Sequence, residues 1–241
     1  MADHAYPEKI LSSYQQMAHA VRLRLLPDYP AKLIWGVFAD TRRELEALIP
    51  QIPVIGDHNI WQFNLDASAM SLALYRTLKK RYFSHAEAVQ MIHRIYEAYL
   101  SSFPKTLRLA YGWNYFSPWN QARLRRSATQ SQLRKSPHDW VFSYVKGDGQ
   151  AFDMGVDITE CAILKFYRAQ GVEELVPHLC KLDNAMGKIL GLGFTRQGTL
   201  AEGAGVCDCR WKRGAETLNW TPVIEPVYKK EEAWKPSLNN T

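Results

Sequence analysis

Hydrophobic positions in the first hundred residues recur every three to four places, the period of an α-helix with one face turned to a core. Ile10, Leu11, Tyr14, Met17, Ala18, Val21 and Leu25 form such a stripe, and Pro27 and Pro30 close it, so the pattern predicts a helix over 8–26. Residues 31–49 read as a second helix, broken by the Pro50–Pro53 segment, and Gly56–Asn59 reads as a turn. A third helix is predicted over 60–82 through Leu65, Met70, Leu72, Leu74, Tyr75 and Leu78. Ser84 and Glu87 have the spacing of a capping box and open a fourth, to about Phe103. Between Trp113 and Pro137 the stripe is lost. Pro118, Pro137 and the basic run Arg123, Arg125, Arg126, Arg134 and Lys135 predict a connector there, with room for a short helix.

Beyond residue 138 the pattern shortens. Asp139–Lys146 is rich in strand formers, Gly147–Gly149 reads as a hairpin turn, and 152–156 as the returning strand. Asp157 and Glu160 repeat the capping-box spacing, which predicts a helix from there to Gln170, closed by Gly171. A further helix is predicted over 173–190, then strands over 194–201 and 206–212 joined by Glu202–Gly205. The expected fold class is α+β. A helical N-terminal half is followed by an antiparallel sheet in the order strand, strand, helix, helix, strand, strand, with helices packed on one face. One domain is expected over 1–215 and a proline-containing tail over 216–241.

Composition narrows the function classes. The chain of 241 residues is 46% hydrophobic and 22% charged, ordinary for a globular protein, with a net charge of +6. No apolar run approaches the ~20 residues of a membrane span, so no membrane association is expected. The first residues do not resemble an export signal, and four cysteines without one predict reduced thiols and a cytoplasmic location. The basic run of 123–135 lacks interleaved aromatics, so nucleic acid is not an expected partner. A small-molecule substrate is expected, and self-association stays open.

All four cysteines, Cys161, Cys180, Cys207 and Cys209, fall between Asp157 and Lys212. That confinement invites three readings: a nucleophilic site, a metal site, or small buried residues. On a helical wheel Leu175, Leu179, Leu182, Met186, Ile189 and Leu190 form the core face of the 173–190 helix. Cys180, Asp183 and Gly187 share its flank, which sets a thiol and a carboxylate one turn apart with a glycine leaving space. Cys161 falls near a predicted helix start, where free N–H groups favour a thiolate. In the last strand Cys207, Cys209 and Trp211 share one face, while Asp208 and Arg210 take the other and have the option of pairing. No Cys-x-x-Cys, nucleophile elbow, phosphate loop or His-Glu-x-x-His motif occurs, and neither a metal nor a cofactor is expected.

Three stretches carry a resemblance: Asp157-Ile-Thr-Glu-Cys-Ala-Ile-Leu-Lys-Phe-Tyr167, Leu179-Cys-Lys-Leu-Asp-Asn-Ala-Met186 and Thr199-Leu-Ala-Glu-Gly-Ala-Gly-Val-Cys-Asp-Cys-Arg210. Together they resemble the L-2-amino-thiazoline-4-carboxylic acid hydrolase family, over roughly residues 55–213. The resemblance maps a first-helix cysteine, a Cys-x-x-Asp and a closing Gly-x-x-x-Cys-Asp-aromatic-Arg strand onto Cys161, Cys180, Asp183, Gly203, Cys207, Asp208 and Arg210. Cys209 stands where the family pattern has an aromatic residue. The resemblance implies a hydrolase that opens a small cyclic C–N bond of the amidine or thiazoline type. Cys161, Cys180, Asp183 and Cys207 are then the catalytic candidates, with Asp183 as acid or base. Asp208, Arg210 and Gly203 are the substrate-binding candidates, with Arg210 as anchor. The alternative is a small-molecule sensing module, similar to vinyl-reductase-related and vesicle-tethering domains, whose cysteines line a ligand pocket without turnover.

Overall fold

The apolar stripes of the N-terminal half fold as helices packed on one another. The computed structural model describes residues 5–55 and 59–218, so most of the turn expected at Gly56–Asn59 and most of the tail expected after 216 lie outside it. Helices α1 (Ala5–Leu25), α2 (Ala31–Leu48), α3 (Gln62–Lys80) and α4 (His85–Ser102) stand where the periodicity puts them. Ser84 caps α4, its hydroxyl accepting from Glu87 N–H while the Glu87 carboxylate accepts from Ser84 N–H. Tyr14, Val21, Leu25, Phe38, Leu45, Leu65, Leu72, Leu78 and Met91 are almost completely buried between these helices.

The expected connector is more ordered than its composition suggests. It takes in the end of α5 (Lys105–Tyr115) and all of α6 (Pro118–Ser131). Pro118 stands in the first turn of α6, where its missing N–H has no helical partner to lose, and Ser117 caps that helix. A proline read as a breaker is here a helix start.

The second half is a four-stranded antiparallel sheet in the order β1-β2-β4-β3, from β1 (Val141–Lys146), β2 (Met154–Glu160), β3 (Phe194–Thr195) and β4 (Cys207–Trp211). Between β2 and β3 run α7 (Ala162–Ala169), a 3-10 turn at Glu173–Leu175, α8 (Val176–Cys180) and α9 (Leu182–Ile189). The α+β class and the order of elements are as the pattern predicts, and one apolar core runs from Ile10 through the helices to Trp211 in the sheet.

Three boundaries differ. Asp157–Glu160 is the end of β2, not a helix cap, because Val156, Ile158 and their neighbours pair with β1 on one side and β4 on the other. Ladder pairing on both edges outweighs a local capping signal, and the helix begins only at Ala162. The 173–190 helix is divided at Lys181. The strand expected over 194–201 keeps only Phe194 and Thr195, because the chain then turns through a 3-10 segment at Leu200–Glu202. Gly171 closes α7 with a φ of +69°, as its position predicts.

Candidate functional site

Strand alternation on β4 turns Cys207, Cys209 and Trp211 inward, where all three are buried, and leaves Asp208 and Arg210 on the other face. From the helical segment between β2 and β3, Cys161, Cys180 and Asp183 come within electrostatic reach of the thiols of β4. Cys161 is the residue before α7, Cys180 ends α8, and Asp183 sits in the first turn of α9. The four cysteines are free thiols.

Arg196, in the turn after β3, holds this group together. Its Nη1 donates to Asp183 Oδ2 at 2.8 Å and lies 4.0 Å from Cys209 Sγ, while Nη2 donates to the carbonyl of Cys180 at 2.7 Å. Only 10% of the Arg196 side chain is accessible, against 43% for Asp183. Yet burial is the main influence on the Asp183 carboxyl, pushing its pKa above the usual carboxylate value although Arg196 pulls the other way. Asp183 thus keeps an accessible edge while the protein packed around it desolvates its carboxyl. Tyr96 of α4 and Tyr115 of α5 lie within electrostatic reach of it. Burial raises both hydroxyls, and the charge of Asp183 adds to that at each. An aromatic row runs from Tyr115 through Trp211 to Phe194, with ring centroids 5.6 and 5.5 Å apart, and Arg196 lies over the Phe194 ring.

The thiols belong to one electrostatic neighbourhood. Burial raises Cys180 most, followed by the charge of Asp183, with smaller contributions from Cys161 and Cys207. Cys161 is pushed up to about 11 by burial, against N–H groups of Leu164 and Ile163 and a hydrogen bond from Trp140 that favour its thiolate. The stabilisation expected at that helix start is therefore present, but desolvation outweighs it. Cys209 is pushed up to about 12 by burial and then by Asp183. Cys207 moves less, and its sulfur accepts an N–H from Leu200 at 3.1 Å.

The residues expected to bind substrate stand elsewhere. Arg210 lies on the opposite face of β4, 2.8 Å from Asp157, and donates to the carbonyls of Val156 and Cys209. Asp208 Oδ1 accepts N–H groups of Gln197 and Gly198 at 3.0 and 2.9 Å, which fixes the turn that carries Arg196. Gly203 closes the 3-10 turn with a φ of +89°. Gly187 does not open space beside Cys180: a Cβ there meets Phe194 Cβ at 2.5 Å and Thr217 Oγ1 at 2.8 Å, so it permits close packing of α9 on β3. Neither Arg196 nor the tyrosines could be found from periodicity, since they come to Asp183 from a turn and from two helices distant in sequence.

A cleft of about 450 Å³ adjoins the group, lined among others by His93, Glu97, Lys181, Asn184, Arg196 and Thr199. No thiol lines it, and Arg196 is the residue it shares with the sulfur cluster. Among the described residues no three His, Cys, Asp or Glu side chains are placed to hold a metal ion, and no helix is long and apolar enough to cross a membrane.

In comparison with known proteins, the family model described as L-2-amino-thiazoline-4-carboxylic acid hydrolase matches residues 62–211. That span takes in α3 through β4, hence Tyr96, Tyr115, Asp183, Arg196 and the four cysteines. No curated protein and no solved structure matches the chain.

Proposed function

The chain belongs to the L-2-amino-thiazoline-4-carboxylic acid hydrolase family, and from that premise we propose that it hydrolyses a C–N bond in a small ring of the cyclic amidine or thiazoline type, with Cys180 as nucleophile and Asp183 as the acid and base. The family name supports a hydrolase acting on a cyclic substrate. The observation that carries the finer reading is the Arg196 guanidinium, which ties the Asp183 carboxylate to the Cys180 backbone. One cation thus fixes the two candidate groups relative to each other.

The raised thiols decide how such a site works. A resident thiolate is disfavoured, so Cys180 must lose its proton as it attacks, to an adjacent base. Asp183 is that base, and desolvation of its carboxyl strengthens it. Sulfur bonds to the amidine carbon, the ring C–N bond breaks, and the departing nitrogen takes the proton back from Asp183. Water then attacks the sulfur-bound carbon, giving one proton to Asp183. The carbon–sulfur bond breaks, and Cys180 leaves with that proton. The net change is addition of one water across the ring bond. Tyr96 and Tyr115 supply hydroxyls beside Asp183 for the ring heteroatoms. Cys161 and Cys207 remain protonated and form the sulfur-lined floor.

The test uses purified protein and 2-amino-thiazoline-4-carboxylate, with simple cyclic amidines beside it. Asp183→Asn is expected to lower kcat by about 10²–10⁴-fold, the usual contribution of a positioned acid–base group, and Cys180→Ala to abolish turnover. If both variants remain folded and turn over like the parent, the reading fails. Tight binding of the ring compounds with no turnover by the parent would favour the sensing-module alternative.

A further inference from the structure

Helix α5 stands apart from the core: none of its 11 residues is buried. Its inner side is marked by Gly112, where an added Cβ would meet the Leu190 carbonyl at 2.9 Å, and by Tyr115, whose ring lies 5.6 Å from that of Trp211. The helical period sets Leu107, Leu109, Ala110 and Trp113 on the outer arc, with Leu109 and Trp113 one turn apart. Leu107, Leu109 and Trp113 are all more than half exposed, Trp113 at 72%. Helix α6 follows after a corner fixed by Asn120 Nδ2, which donates to the Tyr115 carbonyl, and Gln121 Nε2, which donates to that of Phe116. It adds an exposed Trp119, with the Arg123 guanidinium over its ring. Single exposed apolar side chains are ordinary, but a row of them on adjoining helices marks an interaction surface.

Charge says what covers it. Between Glu97 and Asp139 the chain has seven Lys or Arg residues and no Asp or Glu. Among the described residues, Arg134 is the one of these seven in an ion pair, with Glu160. Lys105, Arg123, Arg125 and Arg126 are exposed. A second copy docked face to face would set this cationic surface against itself. Nucleic acid would stack on the tryptophans but gain nothing from the leucines. A bilayer with anionic headgroups uses every part: leucines enter the acyl boundary, tryptophans sit at the headgroup level, and Lys and Arg meet the negative charge. Attraction between charges reaches about 10 Å at ~0.1 M salt, so the cations of α6 need only lie near the surface. The expectation of no membrane association rests on the missing span alone. No helix is long and apolar enough to cross a membrane, but a helix that lies along one needs only a single apolar face.

We propose that α5 and the adjoining face of α6 dock on the surface of an anionic phospholipid bilayer, with Leu107, Leu109 and Trp113 entering it and Lys105, Arg123 and Arg126 meeting its headgroups. Either signal alone holds a protein weakly and reversibly, and apolar insertion with charge attraction together give stable attachment.

The experiment sediments the full-length protein with vesicles of phosphatidylcholine alone, or of phosphatidylcholine with about 30% phosphatidylserine. Partitioning onto the serine-containing vesicles is expected to be about tenfold stronger, and to fall by about tenfold when salt is raised from ~0.1 to ~0.5 M. The double variant Leu109→Ser, Trp113→Ser is expected to weaken it about tenfold, and Arg123→Glu, Arg126→Glu by a similar factor. All four side chains are exposed, and circular dichroism checks that the variants fold. The lipid and salt comparisons on the parent stand even if a variant does not. Equal partitioning onto both vesicles, binding to neither, or full binding by both folded variants would each overturn the proposal. Self-association of the parent, or its binding to a single-stranded oligonucleotide, that is lost in the Leu109, Trp113 variant while vesicles are not bound would overturn it in favour of that partner.

Discussion

Each thiol around Asp183 holds its proton more tightly than an ordinary cysteine, and burial is the leading cause in every case. Reactivity at this scale is therefore set by desolvation and not by proximity to a helix start. Cys161, moved from 9.0 to about 11, is expected to alkylate with iodoacetamide about 100-fold more slowly than a free thiol at pH 7.5, since the thiolate is the reacting form. Its rate should climb with pH towards 11. Residue-resolved mass spectrometry checks this, and fast labelling of Cys161 at pH 6 would contradict it. Arg196→Lys loses the fork that reaches both Asp183 and the Cys180 carbonyl. It is expected to destabilise the fold by about 1–3 kcal/mol in denaturant titration and to lower turnover at the same time. Spacing alone sets Cys180 and Asp183 one turn apart, while Cys161 and Cys207 join them only through the family resemblance. Arg196 was not legible in the sequence, because its role depends on a turn whose shape is set by Asp208 in another strand.

At the level of elements, close packing of α9 on β3 is what brings Asp183 to Arg196. Gly187 permits it, since a methyl group there collides with Phe194 and Thr217. Gly187→Ala is expected to cost about 1–3 kcal/mol by overpacking, read as a lowered denaturation midpoint with an unchanged slope. It should also reduce turnover, although residue 187 touches no reacting group. The long helices of the first half were legible because a stripe of buried positions repeats over four or five turns. Asp157–Glu160 was not: its capping spacing is a local signal, and pairing with two neighbouring strands overrides it. β3 stops after two residues because the chain turns at once, held there by Asp208 of β4.

For the whole molecule, the core that joins the helical half to the sheet surrounds Asp183 with low-dielectric protein: Tyr96 comes from α4, Tyr115 from α5, and the sulfur groups from the sheet and its helices. Tyr115 was not legible, because it falls in the stretch from Trp113 whose composition resembles a linker. The same surroundings set the pH dependence. Burial raises the proton affinity of Asp183, and in the proposed mechanism its carboxylate is the form that accepts the Cys180 proton. Activity is therefore expected to be lost as pH falls through a midpoint above the usual carboxylate value of 3.8, and to be regained as pH rises through it. A kcat/KM profile checks the sign, and Asp183→Asn should remove this acid limb. The most direct measurement is intact and peptide mass spectrometry of protein quenched during turnover of 2-amino-thiazoline-4-carboxylate. The account predicts a substrate-derived mass on the Cys180 peptide that disappears as the substrate is consumed. Turnover with no adduct on any thiol, or with the adduct on a cysteine other than Cys180, would contradict it.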